Sequence, residues 1–324
     1  METGIKPAPA NTVLMSFKLS LGKTAITTIP VYTNEAIMAF VDKGVYPVDP
    51  GFMYHQCRAK DWTADTNAAV MGKTLNKKTL GQQMVFLPGL AEQKAIARQL
   101  DFVEHQLDNA KEQLDQLESL VKSRFVEMFG NPTSRDSRWP MARLESFSRV
   151  VTGNTPSRKK SEYYGDGIEW VKTDNIVSPV VTQAAEHLTD AGRGKGRVAP
   201  AGSILMACIA GSVKSIGKVG LLDREVAFNQ QINAIIPEQT VDSRYLLVLL
   251  TLCKDYLCSS INMQLKGILN KSALAAKEFP LPPLALQQEF AAFVSKVDKS
   301  RFIAQQQIDK LQTLYDSLAQ EYFA

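Results

Sequence analysis

The chain has 324 residues, 45% apolar and 22% charged, with a net charge of +4; this is room for about two globular domains and excludes disordered or fibrous classes. Charge is +3 over residues 1–90, −3 over 91–130, +5 over 131–283 and −1 over 284–324, so basic globular segments that suit a polyanion alternate with acidic helical ones. Cys57, Cys208, Cys253 and Cys258 lack metal-ligand or disulfide-framework spacing, the start of the chain is no signal peptide, and the longest apolar run, Tyr245 to Cys253, falls short of the ~20 residues that cross a bilayer. These features predict a reduced, cytoplasmic protein without a metal, a cofactor or a membrane segment.

Residues 1–90 form a first globular module. Its segments return later in the chain: PANTVLM from Pro9 as PAGSILM from Pro200, LNKKTL from Leu75 as LNKSAL from Leu269, and LPGLAEQ from Leu87 as LPPLALQ from Leu281. The offsets are 191, 194 and 194 residues, the mark of an internal repeat. The first module corresponds only to residues 200–280 of the second, so it is expected to be incomplete.

Residues 91–130 follow as a long helix. From Glu92 to Phe129 there is no Gly or Pro, and apolar residues recur four and three apart, which predicts one helix of roughly 55 Å. Gly130, Asn131 and Pro132 end it. Residues 131–283 read as a complete second module. Short strands are predicted at Ile168–Val171, Ser203–Ile209, Lys218–Leu222 and Ile232–Ile236, with one helix from Ser243 to Cys258. A second long helix, residues 284–324, opens after Pro282 and Pro283.

The two long helices share one heptad register, with seams through Leu100, Val103, Leu107, Leu114 and Leu117 and through Val294, Val297, Ile308 and Leu311. So narrow a stripe predicts that they pack on each other as a coiled coil, against the alternative that each seam packs only on its own module. Ala110, Arg124 and Arg301 are expected to interrupt the seam.

No catalytic centre is recognisable. Two GKT triplets, at Gly22 and Gly72, lack the glycine five positions earlier that a phosphate-cradling loop needs, since Phe17 and Asn67 stand there. Metalloprotease, nucleophile-elbow, paired-cysteine zinc and adenine-methylase motifs are also missing from the sequence. Instead the second module carries loops of small residues mixed with donors. Asn154, Thr155, Ser157, Arg158, Lys159 and Lys160 form one; Arg193, Lys195 and Arg197 a second; Ser212, Lys214, Ser215 and Lys218 a third. Lys and Arg suit phosphate contacts, and Arg, Asn and Gln can read base edges. Tyr163, Tyr164 and Trp170 are candidates to stack or wedge.

The runs GNTPSRKKSEYYGDGIEWVKTDNI from Gly153, AGSILMACIAGSVKSIGKVG from Ala201 and FNQQINAIIP from Phe228, with the LPPL-x-x-Q helix entry, resemble the specificity subunit of type I restriction-modification systems. The first copy agrees through LMSFKLSLGKTAI from Leu14, YTNEAI from Tyr32 and MGKTLNKKTL from Met71. The resemblance implies an α+β fold of two mixed α/β target-recognition modules, the first incomplete, separated by two long antiparallel coiled-coil helices that set the half-site spacing. It implies a non-catalytic subunit that recognises a bipartite site in double-stranded DNA. Adenine methylation would come from DNA methyltransferase (modification) subunits and cleavage from a restriction endonuclease subunit. It adds Lys172, Asp174, Asn175, Asn229 and Gln230, and Lys18 and Lys23 in the first copy, to the expected DNA contacts. A second chain supplying the missing half-module, giving a homodimer, is a further expectation. The competing reading is a truncated scaffold or regulatory fragment that binds modification subunits without productive DNA recognition.

Overall fold

A computed structural model describes residues 6–18, 21–62, 77–134, 138–177, 179–210, 215–259 and 267–323. They form two compact units, one of residues 1–115 with 301–324 and the other of residues 116–300. Among the described residues no helix is long and apolar enough to cross a membrane.

In the first unit, β1 (Val13–Ser16), β2 (Thr24–Ile26) and β3 (Ile37–Phe40) make an antiparallel sheet in the order β2-β1-β3. Helix α1 (Pro50–Ala59) begins at Asp49, whose side chain accepts from Phe52 N, with a proline in its first turn, where the missing N–H costs nothing. Then come α2 (Lys77–Gly81) and the long α3 (Leu90–Phe129).

The second unit continues through β4 (Met141–Arg143), α4 (Leu144–Phe147), β5 (Ser148–Thr152), β6 (Tyr164–Val171), β7 (His187–Leu188), α5 (Asp190–Arg193) and β8 (Val198–Ala199). It goes on through β9 (Ile204–Ala207), β10 (Ile209–Ala210), β11 (Val219–Leu221), β12 (Val226–Phe228) and β13 (Ile232–Pro237). Helices α6 (Ser243–Leu252) and α7 (Lys254–Cys258), β14 (Gly267–Ile268), α8 (Lys271–Ala275) and β15 (Glu278–Pro280) precede the long α9 (Leu284–Phe323). Its main sheet runs β11-β9-β13-β5, and a second sheet runs β7-β6-β12-β8. The single helix expected over 243–258 is broken at Cys253, whose φ of −92° and ψ of 13° leave the helical region. The strand expected over 203–209 is split at Cys208, whose N–H bonds the Gln231 carbonyl.

The repeat is structural as well as textual. Strands β1, β2 and β3 have their counterparts in β9, β11 and β13, α1 in α6, α2 in α8, and α3 in α9 at an offset of 194 residues. The shared helix entry has a physical reason. Gln93 is fully buried; its Oε1 accepts from Asp49 N at 2.8 Å and its Nε2 donates to the Pro47 and Pro88 carbonyls at 3.0 and 2.8 Å. Gln287, also fully buried, accepts from Asp242 N at 2.9 Å and donates to the Pro282 and Thr240 carbonyls at 2.7 and 3.4 Å. Each carboxamide thus satisfies backbone groups on both sides of a helix junction, and Asp49 and Asp242 cap the helix that follows. Gln287→Leu should cost roughly 2–3 kcal/mol, because it orphans buried amide and carbonyl groups; urea titration checks this, and a loss under ~0.5 kcal/mol would rule out the tie.

Each long helix packs on its partner and on its own module. In the first unit Ile96, Leu100, Val103 and Leu107 of α3 cluster with Tyr315 and Ala319 of α9 and with Phe52 of α1. In the second, Val121, Phe125 and Phe129 of α3 meet Phe290, Val294 and Val297 of α9 and Tyr245 of α6. The helices are therefore antiparallel in both units. Of the seam positions, Leu100, Val103, Leu107, Val294 and Val297 are buried, while Leu114, Leu117, Ile308 and Leu311 are half-buried. Ala110 does not interrupt the seam: it is 1% exposed, and Ala304, at the same place in the repeat, is 6% exposed. Arg124 sits at the margin, paired with Glu127 at 2.9 Å and Glu289 at 3.2 Å.

Candidate nucleic-acid interface

The described loops of the second unit are tied together by their own polar side chains. Gly153 starts the first loop beside β12: a Cβ there would lie 2.2 Å from the Asn229 carbonyl oxygen, so only glycine allows the approach. Asn154 then bridges to the Arg193–Arg197 loop, donating from Nδ2 to the Lys195 carbonyl and accepting at Oδ1 from Arg197 N, both at 2.7 Å. Gly192 lets that loop press on the Tyr163 carbonyl, 2.0 Å from where a Cβ would stand. Thr155 Oγ1 donates to Gln230 Oε1, tying in the turn after β12.

A second knot joins Arg158 to the turn after β6. Glu186 accepts from Arg158 Nη2 at 2.5 Å and from Lys172 Nζ. Lys172 first and then Arg158 hold the Glu186 carboxyl below the usual carboxylate range. The Arg158 guanidinium lies 4.3 Å from the Tyr164 ring and 4.9 Å from the Trp170 ring, within cation–π reach. The strand beneath is fixed by Arg224, which grips Glu169 through Nε and Nη2 at 2.6 and 2.8 Å and lowers the affinity of that carboxyl for a proton.

This geometry sorts the expected contacts. Lys159, Lys195 and Arg197 are exposed and have no ion-pair partner among the described residues. Ser157, Asp174 and Lys218 are also exposed, and Lys160 stands 4.0 Å from Glu162 and over the Tyr163 ring. Arg193 pairs with Glu225 at 2.5 Å. Asn175 and Asn229 are occupied: Asn175 accepts from Lys172 N and donates to the Gln183 carbonyl, and Asn229, 6% exposed, turns both ends of its amide on Gln231. Trp170 is 3% exposed with its Nε1 on the Asn154 carbonyl, so it buttresses the loop and has no face free to stack on a base. Tyr164, half-buried, donates to the Pro156 carbonyl at 2.6 Å. Ser215 and Lys218 follow a stretch in which Ser212 and Lys214 lie outside the described residues. Lys218 lines an apolar recess of about 290 Å³ with Ile176, Val177 and Thr251. In the first unit Lys23 is exposed before β2, and Lys18 is half-buried with its ammonium 5.7 Å from the Phe17 ring centre.

Sequence reading picked out the basic loops but missed Glu186, Glu169 and Arg224, single charges without motif spacing. It also missed one grouping with metal-ligand geometry, His55, Asp101 and Glu104. These atoms are already spent: His55 bonds Tyr315 Oη at 2.9 Å and Asp101 at 2.8 Å, and Glu104 holds Arg58 and the Tyr54 hydroxyl. Burial pushes the Cys57, Cys208 and Cys253 thiols up to about 12, which makes them poor nucleophiles and poor ligands.

Residues 4–119 and 136–313 match the family model described as the type I restriction modification DNA specificity domain. The chain is 34% identical over 113 residues to the type I restriction enzyme HindI specificity subunit of Haemophilus influenzae, a match over 33% of this chain and 24% of that protein. It is 28% identical over 171 residues to the MjaIX specificity subunit of Methanocaldococcus jannaschii, over 49% of this chain and 38% of that protein. Both matches span less than half of the relative's length. The fold resembles the crystal structure of a type I restriction-modification system S subunit from M. genitalium, with a TM-score of 0.61 at 12% identity over 99% of this chain and 84% of that one.

Proposed function

The chain belongs to the type I restriction modification DNA specificity family, and from that premise we propose that it is the non-catalytic DNA-recognition subunit of a cytoplasmic restriction-modification complex. Its ligand is double-stranded DNA at a bipartite site. Residues 1–90 and 131–283 act as recognition modules, and the helical stretches 91–130 and 284–324 act as spacer and as docking surface for DNA methyltransferase subunits, with a restriction endonuclease subunit completing the complex.

The observation that carries this reading is the convergence of the Gly153–Lys160, Arg193–Arg197 and Asn229–Gln231 loops through Asn154 and Thr155. These loops carry Lys159, Lys195 and Arg197, exposed and without carboxylate partners among the described residues. Cations of this kind position a protein on phosphates, while neighbouring donors read bases. Arg158 and Lys172 are held by Glu186 in the free protein, and engage DNA only by exchanging that carboxylate for phosphate.

Co-expression with a modification subunit, followed by addition of methyl donor and random-sequence duplex DNA, tests the reading. Sequencing of methylated adenines is expected to return a bipartite motif. A stable complex that methylates nothing would overturn it.

A further inference from the structure

Two cations from separate segments of the second unit converge on one carboxylate. Arg158, in the loop after β5, donates from Nη2 to Glu186 Oε2 at 2.5 Å, and Lys172, just beyond β6, donates from Nζ to Oε1. Each oxygen of the anion takes one cation, an arrangement that suits the two unesterified oxygens of a DNA phosphate equally well. The Arg158, Lys172 and Glu186 side chains are 53, 37 and 36% exposed. Ion pairs this open to water are weak, so an outside anion can replace the carboxylate without unfolding the loop.

Glu186 differs in this from its neighbour Glu169. Glu169 is 16% exposed, grips Arg224 with both oxygens and also accepts from Ala184 N at 2.7 Å, so it is a structural tie. Among the described residues the Glu186 carboxylate holds only its two cations, while its backbone is pinned separately, the carbonyl accepting from Trp170 N at 2.8 Å. The cations in turn have support of their own. Arg158 lies over the Tyr164 and Trp170 rings, and the Lys172 ammonium stands 5.4 Å from the centre of the Trp170 ring. That ring is 3% exposed and anchored to the Asn154 carbonyl. Glu186 therefore supplies charge balance to Arg158 and Lys172, and the rings supply their position.

We propose that Glu186 is a specificity-determining residue, an internal stand-in for a DNA phosphate. On a duplex that does not fit the loops it keeps both cations neutralised; on one that fits, a backbone phosphate takes its place between them. The proposal rests on reading this module as a DNA-recognition module. Non-specific attachment comes from cations on phosphates, so withholding two of them weakens binding to wrong sequences. At the right sequence the base contacts supply the free energy for the exchange.

The test is Glu186→Gln in the full chain, titrated by anisotropy with a random-sequence duplex across a salt series. Freeing two cations should steepen the slope of log affinity against log salt by about 1.8 and raise the affinity at ~0.1 M roughly 60-fold, given convergence near 1 M salt. In an Arg158→Ala, Lys172→Ala background the same substitution should gain far less. With the modification subunit and methyl donor present, sequencing of methylated adenines should show a more degenerate motif in the half read by this module. An unchanged slope, a loss of affinity, an equal gain in the doubly substituted background, or a motif as strict as that of wild type overturns the proposal. Wild-type chain without salt-dependent duplex binding would instead fail the recognition reading itself, and the role of Glu186 with it.

Discussion

Phe290→Ala should lower the stability of the second unit by about 3–5 kcal/mol, the range for truncating a fully buried phenylalanine. Phe290 is 0% exposed and meets Phe125 and Phe129 edge-on, both with ring centres at 5.5 Å. Tyr245 closes the cluster, stacked on Phe125 at 5.6 Å and edge-on to Phe129 at 5.0 Å. The truncation removes the two edge-on pairs, each worth ~0.5–1.5 kcal/mol beyond area burial, and a tilted contact with Phe293 at 6.4 Å, and leaves a cavity that rigid rings cannot fill. Three elements, α3, α6 and α9, meet there, so the loss falls on the junction that holds the module to its helices. In the first unit Ile96, Ala319, Phe323 and Phe52 take the places of Phe290, Phe125, Phe129 and Tyr245, with one ring pair, Phe52 and Phe323, at 5.3 Å. The matching Ile96→Ala should therefore cost less. Tryptophan fluorescence in a Trp62→Phe background isolates the second unit, where Trp139 and Trp170 both lie. A urea midpoint shifted by under ~1 kcal/mol at unchanged m would remove the cluster from its keystone role.

The sequence carries the parts of this fold that repeat locally. Heptads write both long helices, and Gly130 with Pro132 closes the first. Alternation and turn residues mark β9, β11 and β13, which the repeat copies as β1, β2 and β3. Pairing over distance is not written locally: β4 and β5 are short and half-polar, and their partners lie more than 80 residues on. Gln93 and Gln287 stand out in the repeated helix entry, yet the groups they satisfy reach 46 and 47 residues away. Residue type alone picks out the basic loops, but cannot tell engaged donors from unengaged ones. Asn154, Asn175 and Asn229 look like base readers and are instead loop fasteners, because a short amide beside a turn satisfies the nearest backbone first. Trp170 looks like a stacking platform but lies in the core with Leu188 and Ala227.

That sorting fixes the second large expected effect. Replacing Lys159, Lys195 and Arg197 together by Ala should reduce the slope of log affinity against log salt by about 2.7, three phosphate contacts at ~0.9 each. With wild type and variant converging near 1 M salt, the affinity of the variant for a random-sequence duplex at ~0.1 M should be lower by about 10^2.7, roughly 500-fold. Arg158→Ala should reduce the slope by less than the ~0.9 of a free cation, because Arg158 shares the Glu186 carboxylate with Lys172 in the free protein. Asn154→Ala removes no charge, but it frees the backbone at Lys195 and Arg197, so it should weaken binding by raising the entropic cost of ordering that loop. Anisotropy titrations across a salt series separate the three outcomes. A triple variant with the wild-type slope would show that the three cations face away from DNA, and would shift the interface toward the stretch around Lys218.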